Sequence, residues 1–185
     1  MGLRTLSIQV ALPTEIATSA GPLVTGMLKQ PVEGPIELGL RALAGDGCAH
    51  TKYHGHEDQA VCVFVAQHLS DLAAELDLPQ LGPGSFGDNF TVAGGDESSV
   101  RVGEVYRVGT ALVEVTKPRE PCHLLNEVSW CNKLAASLGR SARTGWYLRV
   151  LEAGTVQAGD EWQLERPAAA DALTIAEAWR AKSKA

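Results

Sequence analysis

The segment Lys117-Pro118-Arg119-Glu120-Pro121-Cys122-His123 gathers reactive side chains at a stiff corner. Each proline fixes φ near about −65° and removes an N–H donor, and the residue before each is pushed into an extended conformation. Cys122 is thereby held at the end of a rigid turn with Arg119 three residues away. A nearby guanidinium favours the thiolate, the form of cysteine that attacks or binds a metal. A lone cysteine is just as readily a buried core residue, so Cys122 counts as a site only if partners gather around it.

Three other segments place unusual residues outside regular structure: Gly45-Asp46-Gly47 with Lys52-Tyr53-His54-Gly55-His56-Glu57-Asp58, the glycine-rich run from Gly82 to Phe90, and Thr144-Gly145-Trp146. His54, His56 and Asp58 alternate, so they share a face if the stretch is extended. That spacing suits ligand capture or metal binding, and it approaches the HxHxDH pattern of metallo-β-lactamase-type hydrolases. Gln59 stands in place of the final His, however, and His-Thr-Lys rather than an apolar strand precedes the run. A metal-dependent hydrolase using His54, His56 and Asp58 is therefore the less favoured alternative. The glycine-rich run can cradle an anion with backbone amides, or can simply turn, with Asp88 and Asn89 capping it.

These segments hang on short strands. Leu6–Leu12 reads as a first strand, 36–43 as another, and 60–65 as a buried apolar strand. The stretch 21–35 carries six Gly or Pro and reads as a loop. Leu69, Leu72, Ala73 and Leu76 fall on one helical face, which Pro79 ends. Strands follow at 88–93, 104–109, 111–117, 146–151 and 162–165, with one or two short helices over 123–139. Many short strands at such intervals predict a mainly β, closed or nearly closed barrel rather than a parallel α/β sheet. Thr174 and Glu177 have capping-box spacing and predict a last helix over 174–183. The domain reading is a barrel over 1–166, then a linker and helix over 167–185.

The chain has 185 residues, 45% hydrophobic and 21% charged, which suits one globular domain. A chain of this length buries about 70% of its unfolded surface and needs no disulfide staple. The net charge of −6 argues against a nucleic-acid partner but not against a local basic pocket. The N-terminal segment lacks the charged start and apolar core of a signal peptide, and no apolar run reaches the roughly 20 residues of a membrane span. The expectation is a cytoplasmic protein with no membrane partner. Cys48, Cys62, Cys122 and Cys131 form no CxxC pair, so neither a zinc ribbon nor a thioredoxin motif is present.

Taken together, the segments resemble the MOSC family, named after the C-terminal domain of molybdenum cofactor sulfurase. The resemblance runs from about Leu38 to Leu164. It rests on Gly45-Asp46, His54-Gly55-His56-Glu57-Asp58, Phe86-Gly87-Asp88-Asn89, the Gly103-Glu104…Gly109 hairpin and, most specifically, Pro118-Arg119-Glu120-Pro121-Cys122. His56 replaces the second glycine of the family's H-G-G pattern, and Gln59 stands where an arginine is common. The short stand-alone bacterial branch, linked to resistance against N-hydroxylated purine bases, is the part of the family it is most similar to.

The resemblance implies a β-barrel that binds a molybdenum–molybdopterin cofactor. Cys122 would be the catalytic residue and molybdenum ligand, and Lys29, Lys52, His54, Asp58, Phe86, Gly87, Asn89 and Arg119 would bind the cofactor. Because molybdopterin carries a phosphate, Lys29, Lys52, Arg119 and Arg143 are candidate cations, with His54 and Asn89 as neutral donors. The implied activity is the terminal step of a reductase for N-hydroxylated compounds, fed by an external electron-transfer protein, since no iron–sulfur or flavin motif is present. The alternative is a sulfur or cofactor carrier without turnover. The chain has no room for the PLP domain that supplies sulfur in the sulfurase.

Overall fold

The computed structural model describes residues 2–18, 21–49, 55–78, 81–129 and 131–184. The chain runs β1 (Arg4–Val10), β2 (Thr14–Thr18), β3 (Gly21–Thr25), β4 (Gln30–Pro31), β5 (Ile36–Leu38), a 3-10 turn (Glu57–Gln59), β6 (Val61–Val65) and α1 (Ala66–Leu76). It continues through β7 (Phe90–Ala93), β8 (Val105–Val108), β9 (Ala111–Pro118), α2 (His123–Ser129), α3 (Leu134–Ser141), β10 (Trp146–Glu152), β11 (Gly154–Val156), β12 (Trp162–Arg166) and α4 (Ile175–Lys182).

Eight strands form one curled sheet in the order β12-β8-β9-β10-β6-β7-β1-β4. The sheet nearly closes on itself. Thr5 N–H donates to the Asp160 carbonyl and Trp162 N–H to the Leu3 carbonyl, both at 2.9 Å, beside a bridge between Arg4 and Glu161. The Trp162 indole N–H adds a bond of 2.9 Å to Thr5 Oγ1 across the same seam. The mainly β, nearly closed barrel expected from the sequence is the fold the chain adopts.

Strand β6 explains the apolar run 60–65. All five of its residues are buried, because alternate side chains enter two different cores. Val61, Val63 and Val65 join Ile8, Phe90, Trp146 and Trp162 inside the barrel. Phe64 points the other way and joins Leu72, Phe86, Leu125, Leu134 and Leu138 beneath the helices. Parallel pairing of β6 with β7 requires a crossover, which α1 supplies.

Three expectations are corrected. Much of the 21–35 loop is ordered as β3 and β4, because β2 and β3 form a hairpin in which Pro22 pairs with Ala17 on an edge that tolerates it. The strand expected at 36–43 shrinks to β5, since Gly39 N–H turns back to the Ala42 carbonyl. Strand β11, which pairs with β5, was not anticipated. The last helix has its predicted capping box, and Ile175 is fully buried in the barrel core, so this helix packs as part of the barrel. Among the described residues no helix is long and apolar enough to cross a membrane.

Candidate cofactor pocket

Strand β9 delivers the corner. It ends at Pro118, and Arg119 N–H then donates to the Gly145 carbonyl at 3.0 Å. The Arg119 side chain is 5% exposed. Its Nη2 donates to the Phe86 carbonyl at 2.6 Å, while Nη1 is buried without a partner among the described residues. Burial opposes the charge, but neighbouring Cys62, Tyr147, Cys122 and Asp88 outweigh it, and the guanidinium is held even more firmly charged than usual. Cys122, half-buried, lies immediately before α2.

Both residues line one pocket. Its other walls include Lys29, Arg41, Asp46, Gln59, Gly87, Asn89 and Tyr147, together with two more cysteines, Cys48 and Cys62. Asp46 organises one wall: it accepts from Lys29 Nζ, from Ala11 N–H at 2.9 Å and from Asn89 Nδ2 at 2.9 Å. Asn89 also donates to the Gln9 carbonyl and accepts from Cys62 N–H at 3.0 Å. Its amide is therefore committed to holding β1, β6 and the glycine-rich run together. Lys29, 9% exposed, keeps its ammonium at the wall through Asp46. Asp88 is buried beneath. Desolvation raises its pKa, against bonds from Thr91 and the Gly84 amide that favour the carboxylate.

The pocket thus brings Lys29, Gly87, Asn89, Arg119 and Cys122 together. Other sequence candidates lie elsewhere. Phe86 is fully buried in the second core, edge-on to Phe64 at 4.6 Å, and offers only its carbonyl to the site through Arg119. Asp58 does not line the pocket and is paired with Lys117 at 2.7 Å. Arg143 is corrected: Glu75 on α1 takes it bidentately at 2.9 and 2.5 Å, away from the pocket. Lys52 and His54 lie outside the described residues. Among the described residues no three His, Cys, Asp or Glu side chains form a metal-ligand cluster.

Sequence reasoning missed Tyr147 and Cys62. They face each other across β10 and β6, a pairing that no local pattern reveals. Burial pushes the Cys62 thiol up to about 11, and burial also raises the Tyr147 phenol, against the pull of Arg119. Arg41 was missed too. It adds an exposed cation to the two buried ones, paired with Glu57 at 3.0 Å, on the pocket that Gln59 also lines.

The family model of the MOSC domain matches residues 50–163. The chain belongs to the MOSC family. It is 35% identical to YflK of Bacillus subtilis over 159 residues, covering 86% of this chain and 72% of YflK. It is 32% identical to YiiM of Escherichia coli over 137 residues, covering 72% of this chain and 61% of YiiM. A protein of Gibberella moniliformis named reductase is 32% identical over 154 residues, 80% of this chain, and this MOSC chain spans only 27% of that protein's length. The crystal structure of YiiM from Geobacillus stearothermophilus superposes with a TM-score of 0.79 at 28% identity, covering 97% of this MOSC chain and 83% of that one.

Proposed function

We propose that this MOSC protein binds a molybdenum–molybdopterin cofactor in the pocket of Arg119 and Cys122 and serves as the terminal component of a reductase acting on N-hydroxylated compounds. The observation that carries the reading is Arg119 itself. A buried guanidinium with one nitrogen unpartnered among the described residues, on the wall that also presents a half-buried thiol, is a donor set suited to an anionic, soft-metal ligand. The residues present fit the group. Cys122 would ligate the metal. Arg119 and Lys29 would hold the phosphate end, and Gly87 leaves the wall without a side chain.

A bound cofactor would supply two-electron chemistry, which matches N–OH to N–H with the oxygen leaving as water. The electrons would come from an external electron-transfer protein, and the reductase name of the Gibberella relative agrees with this direction. The chain's own part is to bind, orient and exclude water. The Asp46–Asn89–Lys29 network fixes one wall, and Arg119 the other.

The test is expression in a host that makes the cofactor, followed by metal and pterin analysis and turnover with an artificial electron donor. Molybdenum with pterin and N-hydroxylamine reduction are expected. Cofactor without turnover would favour a sulfur or cofactor carrier, and protein free of both molybdenum and pterin would defeat the proposal.

A further inference from the structure

Behind the pocket sits a buried carboxylate that the reading above does not use. Glu97 is 3% exposed. One oxygen meets His68 Nε2 of α1 at 2.8 Å, and the other accepts the Gly145 backbone N–H at 2.7 Å. Its own carbonyl accepts the Ala176 N–H in the first turn of α4. The carbonyl of that same Gly145 is the acceptor for Arg119 N–H at 3.0 Å. Glu97 therefore holds one face of Gly145 while Arg119 hangs from the other.

Gly145 cannot hold this shape by propensity. Its φ is +71°, and the Val63 carbonyl lies 2.2 Å from where a Cβ would be; glycine is free to take this conformation but equally free to leave it, so its hydrogen-bond partners select it. A buried carboxylate is expensive unless it is well bonded. Here both oxygens are spent, one on a side chain and one on the N–H of Gly145, the residue whose carbonyl anchors Arg119.

We propose that Glu97 is a positioning residue: through Gly145 it fixes the backbone of Arg119 and so aims the guanidinium into the pocket. The claim about the backbone stands on these contacts alone, while its consequence for anion binding rests on the cofactor reading. His68 secures the outer oxygen of Glu97. Its Nδ1 is itself buried without a partner among the described residues, so the Glu97 bond is the polar contact that fixes the ring.

The test is hydrogen exchange of three backbone amides in the apoprotein, read together with titration of inorganic phosphate. The amides are Gly145, Arg119 and, as an internal reference on the distant barrel seam, Trp162. Glu97→Ala should speed exchange at Gly145 and Arg119 by about tenfold and leave Trp162 unchanged. Glu97→Gln keeps an oxygen for the Gly145 N–H and should restore both amides to within about threefold of the wild type. If Glu97→Ala fails to fold, Glu97→Asp, one methylene shorter, should loosen the same two amides. Phosphate should bind several-fold more weakly to Glu97→Ala and recover in Glu97→Gln. An Arg119 amide that keeps its wild-type rate, or moves only in step with Trp162, overturns the positioning role. Wild-type protein that takes up no phosphate counts against the anion site of the proposed function, and the exchange rates still decide the role of Glu97.

Discussion

Arg119 reaches 33 positions back along the chain to donate a 2.6 Å hydrogen bond to the Phe86 carbonyl. This bond ties the rigid proline corner to the glycine-rich run, while Nη1 is buried without a partner among the described residues. Arg119→Ala should therefore do two separable things. It strands a buried carbonyl, lowering stability by about 1–3 kcal/mol. It also removes the charge, weakening cofactor retention by about tenfold or more. Thermal denaturation reads the first, and released pterin per protein the second. Retention equal to the wild type would take Arg119 out of the site.

Cys122 should be separable from the other three thiols. Cys122→Ser is nearly isosteric beside a loop and should fold normally, yet bind molybdenum more weakly, because a hydroxyl is a harder and far less acidic ligand. Cys48→Ser and Cys131→Ser should keep metal and turnover. Wild-type molybdenum content and turnover in Cys122→Ser would end the metal-ligand assignment, and retained metal with lost turnover would move Cys122 to a redox or sulfur-carrying role.

Cys62 shares the pocket wall but should stay inert. With its thiol pushed up to about 11, only about one molecule in a thousand carries the thiolate at pH 8. Iodoacetamide at that pH should modify half-buried Cys48, Cys122 and Cys131 and spare Cys62, as read by peptide mass spectrometry. The linkage has a definite sign. A raised pKa means the fold favours the neutral thiol, so this contribution is present below about pH 9 and is lost as the pH climbs toward 11. Equal labelling of Cys62 and Cys122 in the folded protein would contradict the burial of the former.

Asp58 and Lys117 make a test of the opposite sign. The hydrogen bond from Lys117 is the main cause that lowers the Asp58 pKa below 3.8. The stabilisation is thus present above that value and is lost as pH falls through the lower, folded one. Both side chains are 34% exposed, so screening limits the pair to about 0.5 kcal/mol. Asp58→Asn should show a slightly lower urea midpoint than the wild type at pH 7, with the difference shrinking as the pH falls below 3.8, and unchanged cofactor retention. A marked loss of pterin in this variant would return Asp58 to the pocket.

How far the site could be read from sequence follows from what fixes each residue. The Pro118–Cys122 corner is local: two prolines dictate its backbone, so the proximity of Arg119 and Cys122 was legible. A continuous apolar run revealed β6, and alternation and turn residues revealed β9, β10 and β12. What was hidden depends on pairing across the sheet. Tyr147 belongs to the pocket because β10 registers it against Cys62, and nothing near either residue encodes that. Phe86 misled for a related reason: the motif that contains it lines the pocket through Gly87 and Asn89, while its ring fills the core. Arg143 misled because a cation in sequence says nothing about which carboxylate, here Glu75, will claim it.

Gly145 permits a final prediction with an internal control. Gly145 and Gly34 have nearly the same left-handed backbone, with φ of +71° and +75°. A methyl group on Gly34 would meet nothing within 4 Å, whereas one on Gly145 would face the Val63 carbonyl at 2.2 Å. Gly34→Ala should therefore show only the left-handed strain, about 1–2 kcal/mol. Gly145→Ala adds a contact that backbone must move to relieve, and the loss should exceed that of Gly34→Ala by about 1–3 kcal/mol. The displaced residue is the one whose N–H Glu97 holds and whose carbonyl holds Arg119, so cofactor retention should fall in Gly145→Ala and stay unchanged in Gly34→Ala. Urea denaturation and pterin content measure the two effects. Equal destabilisation by both substitutions would mean that the Val63 contact is readily relaxed, and that Gly145 is required only for its φ.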